Sequence, residues 1–178
     1  MAAVADDLNA IVVTATSPDG RIEGRVESLQ HITLRFVQDS YERYYRHRGP
    51  ESLAHQLGRG ATLMAAAYQK ARRAVLRVHD FERYSALRQP FSSRHREYLE
   101  RGAKLTAHGT SPDREIQVSA VGLIDFDVSI APGVLERHEA RSFLQLAGAA
   151  MNDLRADHQR AHTALRHELY LRYKDRER

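Results

Sequence analysis

Leu123-Ile124-Asp125-Phe126-Asp127-Val128-Ser129-Ile130 is the clearest strand in this 178-residue chain. Ile124, Phe126, Val128 and Ile130 alternate with Asp125, Asp127 and Ser129, so one face is apolar and the other wet. Asp125 and Asp127 could form a carboxylate pair, but the same alternation already accounts for them as the solvent side of an amphipathic strand. Upstream, Lys104 to Thr110 and Glu115 to Val121 have strand character, which gives a three-stranded antiparallel meander with one face to cover. So small a sheet needs a helix against it. Phe143, Ala147, Ala150, Leu154, Ala161 and Leu165 supply the matching stripe, predicting a helix from about Glu139 to Tyr173.

The same plan occurs once more, earlier in the chain. Thr110-Ser111-Pro112-Asp113 repeats Thr16-Ser17-Pro18-Asp19, and strands are predicted over Ile11 to Thr16, Arg21 to Ser28 and His31 to Val37. Leu53, Leu57, Ala61, Met64, Tyr68, Ala71, Val75 and Val78 form an apolar stripe on a helix that opens at Pro50 and Glu51 and runs to about Leu87. His55-Gln56-Leu57-Gly58 and Ala61 line up with Leu144-Gln145-Leu146-Ala147 and Ala150 on the two helices. Pro90 ends the first long helix, and a short one follows over Ser92 to Arg101 with Gly102 as its stop. The fold class is α+β, with units at 1–88 and 89–178 and a shared connecting segment at 67–102.

Ile130-Ala131-Pro132-Gly133-Val134-Leu135-Glu136, with Glu139, Leu144 and Ala149-Ala150-Met151-Asn152-Asp153, resembles the YbaB/EbfC family of nucleoid-associated proteins over about 104–170. In that family a three-stranded sheet ends in an Ile-x-Pro-x-x-Leu segment and enters a helix bearing Ala-Ala-x-Asn-Asp. The first half keeps the order of elements but departs at Gln38 to Arg48 and at Leu63-Met64. The resemblance implies two YbaB-like units in tandem. It also implies a homodimer or an intramolecular pseudo-dimer, and a protein that binds double-stranded DNA with little sequence preference and organises the nucleoid. Relatives associated with secretion keep a second expectation open, a protein scaffold or adaptor with no DNA binding.

In the family the basic surface lies largely on the helix before the first strand, which the resemblance places here at 67–102, and charge points to the same segment by a separate route. The net charge is +4, yet residues 67–104 carry 10 Lys and Arg against 4 Asp and Glu, while the flanks are close to neutral. The candidate DNA-binding residues are Lys70, Arg72, Arg73, Arg77, Arg83, Arg88, Arg94, Arg96, Arg101 and Lys104. Lys70, Arg73 and Arg77 share one helical face, which suits phosphate contacts made without reading bases. Tyr68, Phe81, Tyr84, Phe91 and Tyr98 interleave with them, either as base-stacking platforms or as core and interface. Tyr41, Tyr44 and Tyr45 with Arg43, Arg46 and His47 form a second aromatic and basic cluster, read as a cap on the end of the sheet in preference to a phosphate contact.

Other chemistry is weakly represented. The chain has no cysteine, which excludes disulfides, thiolate nucleophiles and sulfur-based zinc sites. His158 and His162 stand one helical turn apart without an obvious third ligand, so no metal and no cofactor is expected. No nucleophile constellation marks an enzyme. No apolar run approaches a membrane span and the start of the chain has no leader pattern, which predicts a cytoplasmic protein with no membrane partner.

Overall fold

The computed structural model describes residues 2–27, 31–79 and 92–174. A helix α1 (Ala2–Asn9), which the apolar pattern did not announce, leads into strands β1 (Val12–Thr16), β2 (Ile22–Glu27) and β3 (His31–Phe36). One turn of π-type helix, Tyr41–Tyr45, continues into the single turn α2 (Arg46–Arg48) and then the long α3 (Pro50–Val78). The second half runs α4 (Ser93–Gly102), β4 (Thr106–Thr110), β5 (Ile116–Val121), β6 (Asp125–Ile130), α5 (Val134–Arg137) and α6 (Ala140–Lys174). The chain is therefore α+β, with two three-stranded antiparallel sheets ordered β1-β2-β3 and β4-β5-β6. Helix α3 is described only to Val78, and the expected continuation to Leu87 and the break at Pro90 lie outside the described residues.

The two sheets are built alike, residue by residue. Ile22 pairs with Phe36 and Glu27 with His31 in one, and Ile116 pairs with Ile130 and Val121 with Asp125 in the other. The repeated tetrapeptide explains the match. In each copy the serine hydroxyl accepts the N–H of the first residue of the next strand, Ile22 at 3.0 Å and Ile116 at 2.9 Å. The same hydroxyl donates to the aspartate two residues on, Asp19 at 2.6 Å and Asp113 at 2.5 Å. Each turn then needs one left-handed residue. Gly20 takes it at φ 72° without strain, whereas Arg114 takes it at φ 63° with a side chain.

Helices cover the inner faces, as a half-apolar sheet requires. α3 packs on β1 and β2 of its own half and crosses to β6; α6 packs on β4 and β5 and crosses to β3. One apolar core consequently draws on both halves, joining Ile22, Leu53 and Leu57 to Ile116, Phe143, Ala150 and Leu154. The expected stripes are buried at Leu53, Leu57, Ala61, Met64 and Tyr68 and at Phe143, Ala147, Ala150, Leu154 and Leu165. Val78 departs from expectation: it stands 82% exposed at the end of α3. Asp125 and Asp127 are exposed on the wet face of β6, as the alternation requires. Gly102 closes α4 without a left-handed cap; it is buried, and a Cβ there would make only ordinary contact with the His162 ring at 3.4 Å.

Two glycines in the second half test this packing in opposite directions. A Cβ on Gly109 of β4 would lie 2.1 Å from the Ala150 carbonyl oxygen, whereas one on Gly148 of α6 would meet nothing within 4 Å. Gly109→Ala is expected to lower stability by about 2 kcal/mol or more through overpacking against backbone. Gly148→Ala is expected to raise it by about 0.5–1 kcal/mol through helix propensity. Urea denaturation of both variants checks the pair, and similar effects at the two sites would contradict this arrangement.

Candidate nucleic-acid interface

Apart from Glu51 in its first turn, α3 carries no acidic residue, yet it carries Arg59, Lys70, Arg72, Arg73 and Arg77. All five basic side chains are exposed. Arg59, Lys70, Arg73 and Arg77 recur at helical spacing along one side, and Arg59 to Arg77 covers about 27 Å of helix at 1.5 Å per residue. Among the described residues no carboxylate is paired with Arg59, Lys70, Arg72 or Arg73 in an ion pair. Arg59 was not among the expected residues, because it lies outside the locally basic window 67–104; its separation of eleven residues from Lys70, three helical turns, is the signal that finds it. At the C-terminal end of α3 an acidic side chain approaches this surface, since α1 packs on α3 and Asp7 contacts His79 at 2.5 Å.

The remaining expected cations are dispersed. Arg94 and Arg96 are exposed on α4, and Lys104 is exposed in the turn that follows. Arg83, Arg88, Phe81, Tyr84 and Phe91 lie outside the described residues. Arg101 is differently employed: its guanidinium holds Glu168 of α6 at 2.8 Å on both nitrogens and also reaches Glu97. Arg172 pairs with the same two carboxylates, and Tyr173 donates to Glu97 at 3.1 Å. Hydrogen bonding to Glu168 drives the Arg101 guanidinium above its ordinary range and the same bond pulls Glu168 below its own. Arg101 therefore fastens α4 to α6.

The aromatic residues divide as well. Tyr68 is buried against Val26 and Met64, and burial pushes its phenol up. Tyr98 is half-buried, with its hydroxyl 3.0 Å from His162 Nδ1. Both stand as packing residues. The cluster at 41–47 caps the sheet end and reaches further. Tyr41 donates to the His138 carbonyl at 3.0 Å, and Arg46 donates to the Leu135 carbonyl at 2.9 Å and the His138 carbonyl at 3.0 Å. Burial pushes the Tyr41 phenol up to about 12, and burial with the hydrogen bond to Asp19 pushes Tyr45 higher still. Burial by itself would raise Asp19, but bonds from Ser17, Tyr45 and the Arg21 N–H outweigh it and hold the carboxyl low.

The histidine pair is close, with ring centroids 4.8 Å apart. Burial first, then the neighbouring charge of His162, lowers His158, which disfavours a shared proton load. Asp113, Glu115 and His138 also converge within 4.8 Å. Their partners explain them: Ser111 holds Asp113, and Arg137 pairs with Glu115. Among the described residues no helix is long and apolar enough to cross a membrane. No protein-family model, curated protein or solved structure matches this chain.

The attachment of α4 is pH-sensitive with a definite sign. The bond from Arg101 depresses Glu168, and although partial burial alone would raise Glu97, its bonds from Tyr173, Arg101 and Arg172 depress it too. Carboxylates with lowered folded pKa values stabilise above the unfolded value of about 4.3 and lose that contribution as pH falls through the folded one. Hydrogen-exchange protection of α4 amides should hold from pH 7 to 5 and decline below about pH 4. In Arg101→Gln it should be lower at pH 7 and its decline with acid smaller, though not abolished, because Arg172 and Tyr173 of α6 still hold Glu97.

Proposed function

We propose that this chain is a tandem YbaB/EbfC-like protein that binds double-stranded DNA without sequence preference and organises the nucleoid. The observation that carries the reading is the outer side of α3: exposed cations over about 27 Å with no acidic residue beyond its first turn. A duplex carries one negative charge per about 1.7 Å of axis, so a straight cationic edge of this length meets many phosphates. Binding then gains free energy by releasing condensed counterions, and bases are left unread. Arg59, Lys70, Arg72, Arg73 and Arg77 carry the contact, with Arg94, Arg96 and Lys104 as a second basic group on and after α4. Arg101 serves the fold in place of the phosphate contact first expected of it.

The internal arrangement supports this reading. Two halves with equal strand registers and equal turn chemistry share one core, with each long helix crossing to the other half's sheet. That is how one chain would build the pairing that the family resemblance implies for two, and we read the repeat as an internal duplication. A binding protein needs no more from the fold than a rigid bearing for its charged helix, and no enzymatic step enters the reading.

Fluorescence anisotropy of two unrelated duplexes tests it. Four phosphate contacts imply about a 100-fold loss of affinity between 50 and 200 mM salt, equal for both sequences. The triple variant Arg59→Glu, Lys70→Glu, Arg73→Glu should lose binding at 50 mM salt while its circular dichroism stays unchanged. Absence of binding by the wild-type protein at 50 mM salt would sink the reading and favour the adaptor.

A further inference from the structure

The two crossings of helix over sheet are unequal, and sequence shows why. Where α3 crosses β6, Gly58 lies so close that a Cβ there would stand 3.0 Å from the Phe126 carbonyl oxygen, and the Phe126 N–H donates to Thr62 Oγ1 at 3.3 Å. The counterparts on α6, which packs on β3, are Ala147 and Met151, and they line one cavity with Ile32 and Leu34 of that strand. A methyl and a long thioether side chain hold α6 off the strand where glycine and threonine let α3 close on it. An apolar cleft of about 460 Å³ remains between the helices and the inner faces of both sheets. This size is within the roughly 300–1,000 Å³ of small-molecule sites.

Its shape and chemistry restrict what fits. The lining runs from Gln56 to Gln69 along α3, about 20 Å, and from Leu144 to Arg155 along α6, about 16 Å, so the cleft is long. Aliphatic side chains and methionines dominate it, with Phe126 and Tyr68 the aromatic exceptions, which suits a flexible chain better than a flat ring. Gly148 contributes no side chain and leaves its own surroundings open. Arg155 is the single charged residue of the lining and ends the α6 run, next to the Asn152 amide. A cation at the end of an apolar slot complements an anionic head on an apolar tail. We propose that this cleft binds a single-chain amphiphile with a carboxylate head, of the fatty-acid type, with the tail between Ile32, Leu34 and Met151 and the head at Arg155. The site shares no residue with the basic side of α3, so it stands or falls independently of DNA binding.

Dodecanoate, titrated below its micellar concentration into the full chain, is the probe, with dodecanol as its uncharged counterpart. Methyl signals of Ile32, Leu34 and Met151 should shift saturably at one dodecanoate per chain, while those of Val12, Val78 and Leu171, exposed elsewhere, stay in place. Gly148→Leu, which fills the slot, should weaken both probes at least tenfold. Arg155→Gln should weaken dodecanoate about tenfold and leave dodecanol unchanged. Shifts confined to the exposed methyls, absence of saturation by either probe, or equal weakening of both by Arg155→Gln would each overturn the proposal. The wild-type methyl titration decides the matter even where Gly148→Leu fails to fold.

Discussion

Everything in this structure depends on how the turn at 41–48 grips the opposite half. Tyr41 and Arg46 place three donors on the carbonyls of Leu135 and His138, the groups left unpaired where α5 ends. Beneath these bonds the Phe36, Tyr41 and Phe143 rings pack with centroids 4.9–6.1 Å apart, joining β3, the π-type turn and α6. Buried aromatic pairs add about 0.5–1.5 kcal/mol each beyond their area. A buried carbonyl robbed of its donor costs about 1–3 kcal/mol. The clamp therefore fixes where one half sits on the other, and with it the course of α3, the helix that presents the cations.

The same two-fold plan is executed with different side chains, and the differences matter functionally. On α6, Asp153 and Asp157 accept the N–H groups of Thr110 and His108 at 3.1 and 3.0 Å, closing the free edge of β4. The corresponding positions of α3 are Met64 and Tyr68, which pack inward and leave that helix without acid beyond Glu51 in its first turn. One helix spends its carboxylates on a strand edge, and the other carries only cations as charged groups from Arg59 to Arg77. Likewise Gly58 closes one crossing and Ala147 leaves the other open.

The strands, the turns and both long helices were legible in sequence because period-two and period-3.6 patterns survive wherever a single face is buried. Each expected strand lies within a residue or two of the observed one. What was illegible has local physical causes. Helix α1 is too short and too mildly amphipathic to stand out. Arg101 looks like any other member of a basic run until α6 brings Glu168 beside it, 67 residues away in sequence. Arg59 escaped a charge window that was local in sequence, while the surface is local in space. The cleft has no signature in either half alone, since it arises from comparing two crossings that only the folded chain forms.

The clamp makes the two halves one cooperative body on which α3 is rigidly mounted. Native-state hydrogen exchange of β2 and β5, measured in wild type and in Tyr41→Phe, tests it most directly. Equal opening free energies are expected for the two central strands in wild type, and an equal reduction of about 0.5–1.5 kcal/mol in both when the Tyr41 hydroxyl is removed, since Arg46 still donates to the His138 carbonyl. Unequal opening of β2 and β5, or a loss confined to the half that contains Tyr41, would contradict it.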